Sequence, residues 1–555
     1  MPKVELEDLT ITQVNHLPII KAFANKIKLV DIINSVVPSR MKVSIGHVVL
    51  AMVIDTLSGR SPLYRLTEFY EGKDTQLLLG QEIDPEDFRD YNLGRVLDAI
   101  FQAGTAMIFG EVARMAVLHF GIDTGVLHHD TTSISVFGDY DLVDPPFLIT
   151  YGHSKDKRPD LKQFLVSMLC AEGNIPIFGK TEDGNGSDKT INNTLLSNIS
   201  RYLSKHQLRE DVFIYIADAA MVTEGNLKHF PGLGANRYLS RLPATYSECS
   251  RVICEAVEAN RWTDIGKINE TPSTPKRPAA SYRAYETSVE LYGHRHRAIV
   301  YHSSAHDKRR HNKIDRAIAR EKKELENTCK KAGDTVFFCK ADAEAAAGRF
   351  VEFGKYHSVR SEVVEVPRFS KGRPKKERSR TPSRIEYMLS FRIEKDECKL
   401  QRPRMEAGCF VMITNLMDEN EKQIYSPEKL LRMYKEQYGI EKNFGFLKDP
   451  VIVNSIFLKK AERIEVLGLI LLISLLLWRL MERTLRMHVA RTQETLPGWD
   501  RRQTERPTAF MMTTKFINIL VVKVEKTRRF ARPLKPDQMA YLIALGLSPS
   551  IFTEP

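Results

Sequence analysis

The sequence predicts an α/β protein in which a core domain is interrupted by a large inserted domain, with a helical domain before it and a mostly helical region after it. Three observations support this arrangement. The chain has 555 residues, too many for a single hydrophobic core. Strand patterns begin near Thr124, after a helical start. They resume at the apolar segment 409–413, after a stretch too long to be a loop.

The first part of the core, residues 119–240, carries the clearest strand signals. Its segments predict three strands, a helix, a buried central strand, a second helix and a short strand: residues 125–136, 164–170, 175–178, 190–203, 212–217, 222–230 and 236–240. This order is the one expected of a ribonuclease-H-like core. In such a core one Asp lies on the first strand and a second lies just beyond the fourth, and Asp130 and Asp218 occupy those places.

Residues 1–118 show helical spacing of apolar side chains and no alternating strand pattern. We expect a helical N-terminal domain there. Its composition is compatible with DNA-end recognition, with dimerisation or with a simple helical cap, and the sequence does not distinguish these roles.

Residues 241–408 form the predicted inserted domain, of mixed α and β structure. It contains two possible paired strands, Val289–Tyr292 and Ala298–Tyr301, and a charged helix near 313–331. It ends in a basic loop, residues 368–384. Within that loop Arg373 could enter a narrow, A/T-rich minor groove, and a disordered basic linker is the equal alternative.

The second part of the core is predicted at 409–480, followed by a basic C-terminal region at 481–555. The apolar run Val466–Trp478 is too short to span a bilayer, so we expect a buried helix. The basic segment 526–529 could touch nucleic acid, although a solvated end is the simpler interpretation.

The segment 434–448 is the most informative part of the chain. Read as one helix, it places Tyr434, Gln437, Glu441 and Lys448 within roughly 60° of each other around the axis. An adjacent apolar stripe, Met433, Ile440, Phe444 and Leu447, would hold the helix against a core. Ser426 and Pro427 supply a helix start. By itself this pattern is equally typical of an ordinary surface helix.

Glu441 is the candidate for a third carboxylate that joins Asp130 and Asp218 in one site. Three converging carboxylates repel one another unless cations neutralise them. Two divalent ions about 4 Å apart would do so and would hold the attacking and leaving oxygens of a phosphodiester. Carboxylate oxygens without thiolates favour Mg²⁺, with Mn²⁺ as a substitute.

The composition of the chain indicates the kind of partner and the cellular compartment. The 82 Lys and Arg residues exceed the 70 Asp and Glu residues, for a net charge of +12, which favours a polyanionic partner. The seven cysteines show neither a CxxC pair nor zinc-ligand spacing, and the N-terminus lacks the apolar run of a signal peptide. We therefore expect a cytoplasmic, nucleoid-associated protein without membrane contact.

Several motifs resemble the DDE transposases of bacterial and archaeal insertion sequences, in the large superfamily of insertion sequence four. The helix signature of that family is Tyr, two residues, Arg, three residues, Glu, six residues, Lys. Here Tyr434, Glu441 and Lys448 match, and Gln437 stands in the Arg position. The resemblance extends in order over residues 120–480 through His128-His129-Asp130-Thr131-Thr132-Ser133, the segment 151–163, Gly184-Asn185-Gly186-Ser187-Asp188 and Ile216-Ala217-Asp218-Ala219-Ala220.

The resemblance implies that Asp130, Asp218 and Glu441 bind the metal ions and catalyse. It also implies that the Tyr434, Gln437 and Lys448 positions contact DNA phosphates. Because Gln lacks the charge and fork of Arg, the clamp at Gln437 should be weaker.

Three further cations lie in the loop 153–163, near the first Asp, and are expected to contact phosphates: Lys155, Lys157 and Arg158. Three loop aspartates, Asp156, Asp160 and Asp188, are interpreted as decoys for the metal site.

The function implied is cleavage at insertion-sequence ends and transfer of the freed 3′-hydroxyl to target DNA. The partners implied are double-stranded DNA, as terminal inverted repeats and target, and a second copy of the chain in a homodimer. Two alternatives stay open: a catalytically inactive DNA-binding protein derived from a transposase, and a ribonuclease-H-like nuclease without strand transfer.

Overall fold

The structure is a computed structural model that describes residues 9–59, 65–140, 145–208, 212–230, 236–268, 279–350, 354–371, 381–449 and 458–555. The chain divides into two compact units. The first unit comprises Met1–Ser240 and Met433–Pro555, and the second comprises Arg241–Arg432. Both mix helices and sheets.

The N-terminal part of the first unit is mainly helical. It contains β1 (Leu9–Gln13), α1 (Leu17–Lys26), α2 (Leu29–Val36), α3 (Ile45–Leu57), α4 (Leu66–Tyr70), α5 (Thr75–Leu79), α6 (Asp90–Ala103) and α7 (Thr105–Phe120), with a 3₁₀ turn at Pro85–Phe88. The side chains of Ser44 and Asp74 cap α3 and α5 by accepting backbone hydrogen bonds. The helices were predicted; the strand β1 was not, and the expectation of a region without strands was wrong there.

The sheet of the first unit follows the predicted element order. It contains β2 (Val126–Val136), β3 (Lys162–Ala171), β4 (Ile175–Glu182), β5 (Ile214–Ala217) and β6 (Arg237–Arg241), with α8 (Asp188–Lys205) and α9 (Glu224–Leu227) between strands. The strand order is β4-β3-β2-β5-β6. β2, β3 and β4 pair antiparallel, whereas β5 is parallel to both β2 and β6.

The hairpin between β3 and β4 forms where the sequence predicts it. A 3₁₀ turn at Glu172–Asn174 joins the strands. Gly173 and Asn174 have φ of 71° and 60°, values that glycine and asparagine tolerate better than other residues. The turn therefore sets the register of β3 against β4.

The second unit combines two sheets with helices. It contains α10 (Ser247–Ala259), β7 (Thr263–Lys267), β8 (Ser281–Leu291), β9 (His294–Ser303), α11 (Ser304–Gly333), α12 (Lys340–Gly348), β10 (His357–Arg368), β11 (Arg384–Lys395), α13 (Glu397–Met405), β12 (Cys409–Thr414) and α14 (Glu419–Ile424). In one sheet the order is β12-β9-β8-β7, and β10 and β11 form a separate antiparallel ribbon. The predicted strand pair and charged helix correspond to β8, β9 and α11.

The segment predicted as one helix is two helices. α15 (Pro427–Glu436) and α16 (Tyr438–Lys448) are separated by Gln437. The Gln437 amide bonds to the Tyr434 carbonyl and the Ile440 amide to the Gln437 carbonyl, three-residue spacings that tighten the chain. The predicted apolar stripe is buried on both helices. The tightened turn leaves Tyr434 on α15 and places Glu441 and Lys448 on α16. The polar residues Tyr434, Gln437, Glu441 and Lys448 therefore do not share one helix, as the sequence had predicted they would.

The apolar run 466–478 lies in α17 (Ala461–Thr492), as predicted for a buried helix. α17 is long and apolar enough to cross a membrane, with a mean hydropathy of 2.2 in its most apolar window. However, 83% of that window is buried inside the protein, as in the core helix of a folded domain.

The remaining elements close the first unit. They are β13 (Leu496–Pro497), β14 (Gln503–Thr504), α18 (Ala509–Lys515), β15 (Leu520–Val524), β16 (Thr527–Phe530) and α19 (Pro536–Leu545), with 3₁₀ turns at Trp499–Arg501 and Pro549–Phe552. β1 pairs antiparallel with β15, which pairs with β16. The Arg528 guanidinium on β16 is buried against the Asp74 carboxylate, at 2.6 Å. The expectation of a solvated basic end is therefore wrong for Arg528.

Candidate active site

Asp130 and Asp218 lie side by side on neighbouring parallel strands. In the register of β2 against β5, His128 is opposite Ile216, and each aspartate lies two residues beyond that pair. Asp218 directly follows β5. Asp130 is in the middle of β2, which continues to Val136 in its pairing with β3, so it does not mark a strand end. Neighbouring strands are about 4.8 Å apart, and both aspartates lie two residues beyond the same pair. Their carboxylates therefore lie close together where the β2–β5 pairing ends.

The surroundings of both aspartates disfavour their charged forms. Burial raises the pKa of Asp130 to about 6. The charges of Asp218 and Asp188 act in the same direction, whereas the Lys155 ammonium and the Thr131 amide oppose them. Burial also raises the pKa of Asp218, together with the charge of Asp188. This is the electrostatic pattern of carboxylates that lack a sufficient counter-charge.

The Asp218 side chain also shapes the chain after β5. Its Oδ1 accepts a hydrogen bond of 3.1 Å from the Ala220 amide, which caps the 3₁₀ turn Ala219–Met221. The Ser240 hydroxyl donates to the Asp218 carbonyl at 2.8 Å. These bonds fix the backbone that carries the carboxylate.

Glu441 lies on the exposed side of α16. The start of this helix is held against β2 because the Gln437 side-chain amide donates to the His129 carbonyl at 3.4 Å. Glu441 is four residues further along and therefore on the same side of the helix. Asn443 anchors the opposite side by donating to the Asn174 carbonyl at 2.9 Å and accepting from the Arg479 guanidinium at 2.6 Å.

Across the ranges that the structure describes, no three His, Cys, Asp or Glu side chains are arranged to hold a metal ion. The structure thus brings Asp130 and Asp218 together and places Glu441 on a helix packed against β2. Two hard carboxylates whose pKa values are both raised, by burial and by neighbouring aspartates, fit a divalent cation. We therefore find that the two aspartates suit such an ion by their chemistry.

Lys155 is the cation of this site. Its ammonium donates to the Thr131 carbonyl at 2.6 Å and to the Thr131 hydroxyl at 2.8 Å. It lies 3.5 Å from a carboxylate oxygen of Asp188 and 3.9 Å from one of Asp130. The Lys155 backbone amide also donates to the Ser133 hydroxyl at 3.0 Å. Lys155 thus ties its loop to β2, and its predicted phosphate contact stays a prediction.

Asp188 belongs to the same network, although sequence reasoning set it aside as a loop decoy. It is the first residue of α8, where Ser187 caps the helix. The Thr131 hydroxyl donates to its carboxylate. The signal that could have identified it is its position at the start of α8, six positions after the last residue of β4. Its contact with Thr131 joins residues 57 positions apart, which no local pattern reveals.

The other predicted phosphate contacts are engaged within the chain or exposed. Lys448 lies 2.6 Å from the Asp156 carboxylate, and Arg158 lies 2.7 Å from that of Asp160. Lys157 is exposed. Two of the supposed decoys therefore act as partners of the cations that were expected to bind DNA.

Tyr434, on α15, and Lys448, on α16, are half-buried, whereas Lys157 and Arg158 are exposed. Arg373, predicted as a minor-groove contact, lies outside the described residues, as do residues 372–380 of the basic loop.

Two buried histidines, His128 and His129, directly precede Asp130 on β2. The His129 ring bonds to Asn192 Oδ1 at 3.2 Å and to the Ser167 hydroxyl at 2.9 Å. Burial lowers the pKa of His129 to about 4 and that of His128 to about 4. These neutral imidazoles support the strand behind the carboxylates.

Comparisons with known proteins give two findings. A family model described as a domain of unknown function, DUF4277, matches residues 9–114. Among solved structures, the chain is similar to a piggyBac transposase synaptic complex with hairpin DNA, with 8% identity and a TM-score of 0.33, covering 84% of this chain and 73% of that one. No curated protein matches.

The DUF4277 match covers the segment from β1 into α7 and stops before β2. It therefore covers neither the aspartates nor α16.

Proposed function

We propose that this protein is a DDE transposase that cleaves DNA at the ends of an insertion sequence and joins the freed strand to target DNA. The observation that carries the proposal is the position of Asp130 and Asp218. The parallel strands β2 and β5 pair at His128 and Ile216, and each aspartate lies two residues beyond that pair. The motif resemblance assigns the same two residues.

The proposal includes a ribonuclease-H-like core. Supporting it are three antiparallel strands followed by two parallel ones, with α8 inserted before β5. The edge shared by β2 and β5 is where such a core would place its first two carboxylates. α16 would complete the site with Glu441.

Asp130, Asp218 and Glu441 would hold the divalent cations, with Mg²⁺ preferred and Mn²⁺ as a substitute. Bound there, the cations would offset the carboxylate charges and stabilise charge that develops on the phosphodiester.

The reaction would take place in two steps. Water attacks the phosphodiester and breaks the bond between phosphorus and the 3′-oxygen, which leaves as a 3′-hydroxyl. That hydroxyl then attacks a phosphodiester of the target, whose own 3′-oxygen leaves. Cutting two inverted repeats together implies a homodimer on double-stranded DNA.

The cations near the site would position the DNA. Lys448 and Arg158 would exchange Asp156 and Asp160 for phosphates, since both pairs are at least partly exposed to solvent. Exposed ion pairs contribute little free energy, so the exchange costs little. Lys157 and Tyr434 would add contacts on the same side.

The test is incubation of the purified chain with DNA that carries its flanking inverted repeats and Mg²⁺, followed by detection of cleaved and joined products. We expect Asp130→Asn, Asp218→Asn and Glu441→Gln each to abolish cleavage and to retain DNA binding. Asp160→Asn, in the neighbouring loop, is the control that should keep cleavage. Nicking retained by one of the three variants would remove that residue from the site.

One observation favours a second candidate, a DNA-binding protein that has lost catalysis. The Gln437 amide, at the position of the family's Arg, donates to the His129 carbonyl within the chain. A titration separates the candidates. DNA binding without Mn²⁺ binding at millimolar concentration would support the inactive protein. Cleavage without joining would instead indicate a nuclease.

A further inference from the structure

The long helix α11 is attached to the second unit by one side only. Leu325 and Cys329 are buried there, each 5% exposed. Glu321, on a flank of the same side, accepts hydrogen bonds from the Tyr356 amide at 2.8 Å and from the His357 ring at 2.8 Å. These contacts fix the rotation of the helix about its axis.

The opposite side of α11 carries a row of cations, which we call the α11 stripe: Arg309, Lys313, Arg316, Arg320 and Lys323. All five are exposed. They are spaced alternately by four and three residues, which places them within roughly 80° of one another around the helix. The stripe is centred opposite the buried residues Leu325 and Cys329.

Four of the five acidic residues of α11 lie away from this stripe. Asp307 bonds to His311 at 3.1 Å, and Glu321 faces the unit. Asp315 and Glu326 lie roughly 100° or more from the middle of the stripe. Glu324, at its edge, is 3.8 Å from Arg320.

The helix as a whole has ten Lys or Arg and five Asp or Glu. Because of the helical spacing, the side of the α11 stripe carries cations along its middle. A row of that kind fits a regular polyanion. The stripe spans 15 residues, a rise of about 21 Å, or about six phosphates along one strand of a duplex.

Two features favour double-stranded over single-stranded nucleic acid. α11 contains no Phe, Tyr or Trp on which unpaired bases could stack, as they do in single-strand binders. The stripe also lies on one continuous helix, and a duplex is likewise rod-like over this length. Lys and Arg at exposed positions reach phosphates without reading base edges.

We propose that the α11 stripe is a sequence-independent binding surface for the backbone of double-stranded DNA. The inference rests on DNA being the partner under the proposed function. It adds a surface on the second unit that none of the residues of the active site supplies. The stripe would increase affinity for any duplex and would leave the chemistry at Asp130 and Asp218 unchanged.

The test compares two triple variants of the full chain with the same change in charge. The stripe variant is Arg309→Gln, Lys313→Gln and Arg316→Gln. The control is Lys308→Gln, Arg310→Gln and Lys322→Gln, on the same helix but outside the stripe. Binding to a 30-base-pair duplex of arbitrary sequence is measured by fluorescence anisotropy in EDTA over a series of salt concentrations. Thermal melting establishes that both variants fold.

We expect the stripe variant to bind about tenfold or more weakly at moderate salt and to lower the salt slope of log K by about 3, one for each lost phosphate contact. The control should change affinity less than about threefold, because its cations lie outside the row of phosphate contacts. Equal losses in the two variants would overturn the proposal. So would tighter binding of single-stranded DNA or duplex RNA than of duplex DNA.

The cleavage assay keeps this inference separate from the proposed function. If the stripe variant binds duplex as the wild type does, while the wild type cleaves its ends, the surface is refuted and the transposase stands. If the wild type binds duplex through the stripe but cleaves no DNA, the surface stands and the catalytic proposal falls.

Discussion

The Lys155 ammonium lies 3.5 Å from a carboxylate oxygen of Asp188, and the same ammonium is 3.9 Å from Asp130. One lysine therefore lies within 4 Å of two of the three aspartates at this site, and its charge also opposes the rise in the pKa of the third, Asp218. Replacing it should alter the affinity of the site for metal as well as its stability.

We expect Lys155→Met to bind Mn²⁺ about tenfold more tightly, because a competing cation is removed, a change of about 1.4 kcal/mol. Without metal the variant should melt at a lower temperature, because the carboxylates lose their counter-charge. Electron paramagnetic resonance measures free Mn²⁺. Lys157→Met, in the same loop, should leave both values unchanged. Weaker Mn²⁺ binding by Lys155→Met would contradict the role assigned to the ammonium.

The two glycines of α16 give a matched pair. A methyl group on Gly439 would overlap the Asn174 side chain, whereas one on Gly445 meets nothing within 4 Å. Gly439→Ala should displace the start of α16, lowering end cleavage at least tenfold while duplex binding persists. Gly445→Ala should raise the free energy of unfolding by about 1 kcal/mol, because Ala is the better helix former. Equal cleavage by the two variants would show that the position of α16 is unimportant.

The buried pair of Arg528 and Asp74 predicts a large effect on stability. Burial alone would raise the pKa of Asp74. The hydrogen bonds from Arg528 and from the Leu77 amide together outweigh burial, so the pKa of Asp74 is lowered. Arg528→Met removes one partner of a buried pair and should destabilise the protein by about 3–5 kcal/mol. The neighbouring Arg529 is exposed, and Arg529→Met should change stability by less than about 0.5 kcal/mol. Urea unfolding measures both.

The pH dependence of stability should reflect His129. Its pKa is about 4 in the folded chain, below the ordinary 6.5, because burial penalises the imidazolium. The unfolded chain therefore binds a proton at higher pH than the folded chain does. This contribution to stability is complete above pH 6.5 and is lost as the pH falls toward 4, by up to about 3 kcal/mol.

His129→Gln lacks the titrating ring, so its free energy of unfolding should fall less steeply over the same window. Urea unfolding of both proteins between pH 7 and pH 4.5 tests this. Parallel curves for the wild type and the variant would exclude His129 as the cause.

Short sequence patterns predicted the turns and strands that depend on a few neighbouring residues. The turn at Gly173 and the buried run that became β5 are visible in the sequence because turn residues and apolar runs act over a few positions. The positions of Asp130 and Asp218 followed from the element order. Contacts made across the fold could not be predicted in this way.

Three findings illustrate the limit. The Asp188 carboxylate meets Thr131 only after α8 packs, and the partner strand of β1 is distant in sequence. The break at Gln437 was missed because a periodicity count assumes a regular helix, whereas hydrogen bonds three residues apart tighten the chain there. The first two outcomes depend on tertiary packing, which overrides local preference.

The pairing of β1 with β15 has a consequence for synthesis. Leu520 emerges from the ribosome roughly 500 residues after Gln13, its partner in the sheet. At roughly 5–20 residues per second, β1 waits about 25–100 s for its neighbouring strand. During that interval its hydrogen-bonding edge is open to nascent chains nearby, so a chaperone that covers this short segment would protect the protein at its most vulnerable stage.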